Sequence, residues 1–300
     1  MLLSPRTIHF TKHQMYWHCK ELAISQDYTL VTRGMLGTPS NPYGPDIDLS
    51  PDVNSQHDFH DSWWRLVADY SSRSLTYQHD KLVALQGIAT KLVFVYHDKY
   101  VSGMWRSMLP LDLLWNTSEH EPTRIRLAGV PTWSWASLTG EIYVPLSEPG
   151  DVCVAVIAAT PTVLQLKGMI WRCTRRSLFR YDIGVSARRQ HLQACLSETT
   201  AGQYASVAML SDVLSYDELE SRPLYLFPVA CEEYRGYHVS GLVLAADLAC
   251  PNQFQRVGRF GTDLFPDTSP PRYFYRAPDN DMRMYIRAAQ QAHPQVIELV

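Results

Sequence analysis

The sequence predicts an α+β protein: a small helical layer followed by a larger, mainly antiparallel β-rich domain of barrel- or sandwich-like form. Three observations lead there. Between residues 62 and 115 apolar side chains recur at three- and four-residue intervals, as one face of a helix requires. Past Pro122 the texture changes to short apolar runs broken by Gly, Pro and polar residues, the pattern of packed antiparallel strands. A chain of 300 residues that is 46% hydrophobic and 19% charged is also large and apolar enough to bury a substantial core.

The segment 1–33 opens with a strand at Thr7-Ile8-His9-Phe10, and a short amphipathic helix carrying Met15, Tyr16 and Trp17 is expected after it. Gly34, Gly37, Pro39, Pro42, Gly44, Pro45 and Pro51 make 34–56 a Pro/Gly-rich linker that resists helix and strand alike. The helical region, 57–121, contains three predicted helices. In 62–72, Trp63, Leu66, Val67 and Tyr70 form one stripe, leaving Arg65, Asp69 and Arg73 to solvent. In 79–93 the stripe is Leu82, Leu85, Ile88, Ala89 and Leu92, with Thr76 or Asp80 placed to start the helix. A third helix is expected over 100–109, with a further turn through Leu113, Leu114 and Trp115.

The β-rich domain, 122–300, holds candidate strands at 132–136, 141–144, 152–159, 162–173, 224–230, 237–245 and 256–261, with Thr139-Gly140 as a hairpin turn between the first two. If 132–136 is a strand, Trp133 and Trp135 stand on one face, packed against the helices. The stretch 175–203 is polar and without clear periodicity, and 282–292 reads as a short helix.

Composition excludes several classes of function. A formal net charge of -3 provides no broad basic field for nucleic acid. Arg172, Arg175, Arg176, Arg180, Arg188 and Arg189 read as a solvated face. The six cysteines, at 19, 153, 173, 195, 231 and 250, form no CxxC pair and read as scattered, mostly buried thiols. With no secretory signal pattern they point to a reducing cytoplasm. No apolar run is long enough to cross a bilayer as a helix. His57, Asp58, His60 and Asp61 cluster without a third ligand group at a diagnostic spacing, so capping competes with metal binding.

No GxSxG, GxxxxGK[ST], GxGxxG or HExxH pattern occurs. The paired glycines Gly34/Gly37 and Gly258/Gly261 read as turns. No catalytic, cofactor-binding or metal-binding residue is assigned, and no cofactor is expected. Two alternatives stay open: an autonomous β module binding a small molecule or carbohydrate, with Trp133, Trp135, Tyr143 and Trp171 lining a groove, and a cryptic hydrolase built on a carboxylate pair.

A set of motifs gives the chain its strongest affinity. Trp63-Trp64-Arg65-Leu66 with Arg73 and Thr76 leads to Asp80-Lys81-Leu82-Val83-Ala84-Leu85-Gln86-Gly87. Gly103-Met104-Trp105, Leu113-Leu114-Trp115 and Pro131-Thr132-Trp133-Ser134-Trp135-Ala136 follow in that order. This order resembles the region that follows the conserved domain of fungal heterokaryon-incompatibility (HET-domain) proteins. The opening residues Leu3 to Phe10 and Gln14 to Cys19 resemble the closing segment of the HET domain, and 224–260 and 296–300 resemble the family's tail.

The resemblance implies a non-enzymatic C-terminal region, lacking nearly all of the HET domain, or a truncated gene model. Its role would be fungal self/non-self recognition, with programmed cell death on incompatible fusion, exercised through contacts with other proteins and the missing HET domain. HET domains are similar to TIR-like folds, whose nucleotide-site segments would lie before Met1. An exposed apolar surface is expected around Ile8, Phe10 and Trp17, where the missing domain docks.

Overall fold

The computed structural model describes residues 6–10, 15–19, 22–25, 28–32, 56–73, 75–117, 125–144, 151–177, 189–195, 204–212, 222–233, 237–247, 250, 252–261 and 294–300. Residues 6–32 carry a four-stranded antiparallel meander of β1 (Arg6–Phe10), β2 (Met15–Cys19), β3 (Leu22–Ser25) and β4 (Tyr28–Thr32). The strand expected at 7–10 is present, but 15–17 is strand and not helix. Its aromatic residues suit a pleated ladder, and Ile8 pairs with Trp17, which pairs in turn with Ile24. The linker at 34–55, the helix at 282–292 and the side chains of Ile8, Phe10 and Trp17 lie outside what is described.

The helical layer begins earlier than the stripe suggests, with α1 spanning Gln56–Ser71. Phe59 extends the buried face by one turn, its ring stacked 3.7 Å from that of Tyr96. Asp61 therefore lies inside α1 and does not cap it. A 3-10 turn at Gln78–Asp80 leads into α2 (Lys81–Tyr96). Asp80 sits at the N-cap without a capping bond, and Thr76 is exposed.

The helix expected at 100–109 is instead a tight hairpin of β5 (Tyr100–Val101) and β6 (Met104–Trp105). Ser102 (φ 46) and Gly103 (φ 95) take the two positive-φ turn positions that match strand twist. A 3-10 turn (Arg106–Met108) then leads into the one-turn helix α3 (Leu109–Asp112).

Two short strands, β7 (Asn116–Thr117) and β8 (Ile142–Tyr143), pair with each other. This corrects the expected hairpin around Thr139-Gly140, because β8 finds its partner upstream. Nor is 132–136 a strand: Ser134 accepts from the Ala136 N–H and starts a 3-10 turn at Trp135–Ser137. A serine oxygen that offers the backbone a local acceptor competes with strand pairing.

The remaining strands are β9 (Asp151–Val152), β10 (Ala155–Ala159), β11 (Leu164–Gly168), β12 (Trp171–Ser177), β13 (Arg189–Cys195), β14 (Tyr204–Ser211), β15 (Leu224–Glu233), β16 (Tyr237–Ala246), β17 (Gln253–Gly261) and β18 (Gln295–Leu299). They form a single sheet, antiparallel except where β17 meets β18. The sequence reading missed β13, whose polar residues hide the period of two, and it missed β14 altogether. It also took Gly258 to Gly261 for a turn, but that segment is the end of β17.

The sheet has an outer edge at β10, while β17, β14, β13, β12, β15 and β16 each pair with the next and β16 pairs back to β17. The reason lies in β17, whose partners change along its length: Gln253 and Phe254 pair with β18, while Gly258 to Gly261 lie between β14 and β16. The order β18, β11, β10 thus runs off to one side, while β12 to β16 curl back to β17.

Both faces of the curled part are buried. Phe227, Leu242 and Leu244 belong to the main core shared with the helices. Their neighbours Leu226, Val243 and Phe260 point the other way and are also fully buried, with Trp171 close behind at 5% exposure. Gly241 is forced by this arrangement, since a Cβ there would lie 2.6 Å from the Phe260 ring.

The helical layer is closed by aromatic rings, with Trp63, Tyr100 and Trp105 mutually 5.3 to 5.6 Å apart. Trp135 is fully buried beside them and donates its indole N–H to the Gly103 carbonyl at 2.9 Å. We expect Trp135→Ala to lower unfolding stability by about 3–5 kcal/mol, read from denaturant titration. Unchanged stability would place the indole outside the core.

Candidate functional site

The densest polar constellation lies where the sheet meets the helical layer, centred on Arg256. Alternation along β17 puts Arg256 on the same side as Phe254, facing the helices. Its side chain is wholly buried, with Cζ 3.3 Å from the centre of the Trp115 ring. The guanidinium donates to the carbonyls of Leu113 (3.1 Å) and Trp115 (2.6 Å) and to Asp212 Oδ1 (3.2 Å). Burial pushes the Arg256 pKa down to about 10 against the opposing pull of Asp212, so it stays charged at neutral pH.

Asp212 is held in turn by the main chain and a second arginine. Its N–H donates to the Val257 carbonyl, and its Oδ2 accepts from Arg126 at 3.4 Å. Arg126 also donates to the Arg256 carbonyl and to Ser137 Oγ. Thr132 completes the joint: it accepts from the Arg256 N–H, and both its N–H and its hydroxyl donate to the Val300 carbonyl. One arginine and one threonine therefore connect α3, β17, the 126–138 turn and the end of β18.

A second constellation sits at the surface of the helical layer. His60 on α1 lies with Nε2 2.5 Å from Oδ1 of Asp112, the buried last residue of α3. The Trp64 indole N–H points at both groups, 3.0 and 2.9 Å away. With Nε2 of His60 donating to Asp112, that nitrogen has no lone pair to offer, so the indole proton belongs to the carboxylate. Burial works to lower the His60 pKa, yet the bond and charge of Asp112 outweigh it, and the net shift is upward. Burial raises that of Asp112 against the donors around it. Both shifts describe one proton that the pair retains to higher pH than either group alone.

The motif residues divide cleanly. Trp63, Trp105, Trp115, Trp133 and Trp135 are fully buried, as is Ser134; Ala136 and Lys81 are nearly so, Gly103 is buried and Pro131 half-buried. Lys81 reaches through the interior to donate to the Leu138 carbonyl at 2.6 Å. Arg73, Thr76, Asp80 and Gly87 are exposed, with Arg73 paired to Asp69 at 2.8 Å. Of the proposed groove residues only Tyr143 is exposed, since Trp133, Trp135 and Trp171 are in the interior. The side chains of His57 and Asp58 lie outside what is described, and among the described residues no group of three His, Cys, Asp or Glu could hold a metal.

Among the four described cysteines, Cys153 and Cys250 are exposed and Cys173 and Cys231 half-buried, correcting the expectation of mostly buried thiols. Cys153 and Cys250 lie between strands, and Cys173 and Cys231 lie within β12 and β15. No helix among the described residues is long and apolar enough to cross a membrane. Compared with protein-family models, curated proteins and solved structures, the chain finds no match in any of the three.

Two predictions follow from these networks. Asp212→Ala strips the carboxylate from two arginines and should cost about 3–5 kcal/mol, measured by chemical denaturation; a loss under about 1 kcal/mol would remove the joint from the stabilising interactions. For His60, a folded-state pKa above the ordinary 6.5 means its contribution is complete below that pH and lost as pH rises through the folded value. The stability difference between the parent and His60→Gln should therefore shrink as pH rises above about 6.5. A difference independent of pH would mean the pair does not hold its proton.

Proposed function

We propose that this chain is a non-enzymatic C-terminal region of a fungal heterokaryon-incompatibility-type protein, acting in self/non-self recognition through contacts with other proteins, a HET domain among them. One observation carries the reading. Most of the motif residues that resemble the family, every tryptophan among them, help build the interior. Trp63 and Trp135 share the Gly103 carbonyl, Trp115 donates to the Trp133 carbonyl and covers Arg256, and Lys81 reaches Leu138. Residues spaced along the chain in the family's order thus act together as the scaffold of one fold, which is what a family signature in a non-catalytic region does.

Burial of three of the four candidate groove aromatics supports this reading over a carbohydrate- or small-molecule-binding module, which needs rings presented to solvent. Cytoplasmic placement belongs to the same proposal.

The test is genetic. In the fungus that carries this chain, deletion of its gene should convert an incompatible fusion into a viable heterokaryon, scored by vital-dye exclusion at the contact zone. Cell death persisting across every pairing of tester strains would overturn the proposal.

A further inference from the structure

The helix α2 is apolar on both sides, carrying only Lys81 and Lys91 as charged residues. Its inner face, with Leu85, Ile88, Ala89 and Leu92, packs into the core. A helix that is apolar all round is one that has neighbours on more than one side. Here the outer side faces solvent, with Val83 71% and Phe94 75% exposed.

The outer seam has a definite spacing. Asp80, Val83, Gly87, Thr90, Phe94 and His97 follow one another at intervals of three and four, the repeat of a coiled-coil contact line, and all six are exposed; Asp80 and His97 are the caps of the helix, His97 with a left-handed backbone (φ 51). The seam reads the same from either end. Laid antiparallel against itself, with the two-fold axis between Gly87 and Thr90, each position meets a complement. Asp80 faces the second copy's His97, Val83 faces its Phe94, and Gly87 faces its Thr90. On the flank, Gln86 faces Lys91, so lysine never faces lysine.

Gly87 leaves room at the axis, since a Cβ built there meets nothing within 4 Å.

We propose that α2 is the contact helix of a symmetric homodimer, in which two copies of this chain pair antiparallel along the seam from Asp80 to His97. The contact is isologous, as two-fold symmetry requires: the large Phe94 of each copy fills the space over the Val83 of the other. A single helix pair buries less than the roughly 800 Å² per partner of a standard stable interface, so the dimer is a weak, concentration-dependent one.

Sedimentation velocity of the full chain over a concentration series tests this. The expected result is a monomer–dimer equilibrium. Phe94→Asp should weaken it by more than about tenfold without lowering the unfolding temperature measured at concentrations where the parent is monomeric, because the residue is exposed in the monomer. Phe94→Val should weaken it less, and Val83→Phe combined with Phe94→Val should restore it, since the exchange rebuilds the same pairing with the two sizes reversed. A chain that stays monomeric throughout overturns the proposal. So does a lowered unfolding temperature for Phe94→Asp at those monomeric concentrations, which would mean the chain's own residues cover the seam. A double variant no tighter than Phe94→Val would exclude the antiparallel register.

Discussion

The burial of one charged side chain constrains much of this molecule. Removing a guanidinium from water is costly unless it is met by partners, and Arg256 is met by a ring, two carbonyls and a carboxylate supplied from separate parts of the chain, its Nε alone lacking a hydrogen-bond partner. Trp115 and Leu113 must follow α3 at the right height, Asp212 must hang from the end of β14, and β17 must present the strand between them. A small displacement of any of these would leave a buried charge or a buried carbonyl unpaired. The joint therefore fixes how the helical layer sits on the sheet more sharply than apolar packing could, since greasy surfaces tolerate sliding and directional bonds do not.

A similar economy governs the helical layer. The Gly103 carbonyl accepts from the indoles of both Trp63 and Trp135, which arrive from α1 and from the 3-10 turn at 135–137. The positive φ of Gly103 and the absence of a side chain allow the approach, because a Cβ there would lie 2.5 Å from Trp135 Nε1. One glycine turn thus positions two of the largest side chains in the protein. With Phe59, Tyr96, Tyr100 and Trp105 they make a rigid aromatic floor under α2, whose inner face is committed and whose outer face is presented outward.

The two buried networks differ in character. Around Arg256 the donors and acceptors come mostly from main chain and from side chains with little exposure, and the arginine stays charged at neutral pH. The His60–Asp112 pair lies at the rim, with the histidine 14% exposed and its proton within reach of solvent. It ties α1 to α3 through a bond whose strength follows the protonation of an imidazole.

Between residues 56 and 300, periodicity determined the order of helices before strands and the inner stripes of α1 and α2, while short apolar runs bounded by turn residues marked the strands at 224–230, 237–245 and 256–261, which are buried on both faces. Gly103 and the order of tryptophans were legible as a signature, but their use was not. The hairpin at 100–105 was read as a helix since Tyr100, Met104 and Trp105 fit either period, and the pair of positive-φ residues that decides the matter is a property of the folded backbone. The strand expected at 132–136 failed because Ser134 bonds locally, and β13 was hidden by its polar residues.

The site was harder to read. Asp112, Asp212, Arg126 and His60 lie in no motif, and only the placement of Arg256 on the Phe254 side of β17 hinted at a buried charge. Partners separated by 44 and 141 residues, as Asp212 and Trp115 are from Arg256, leave no local spacing to detect. Sequence fixes local period and composition, which depend on neighbours within a few residues. Which charge is buried, and against what, is decided only when strands and helices distant in the chain close around it.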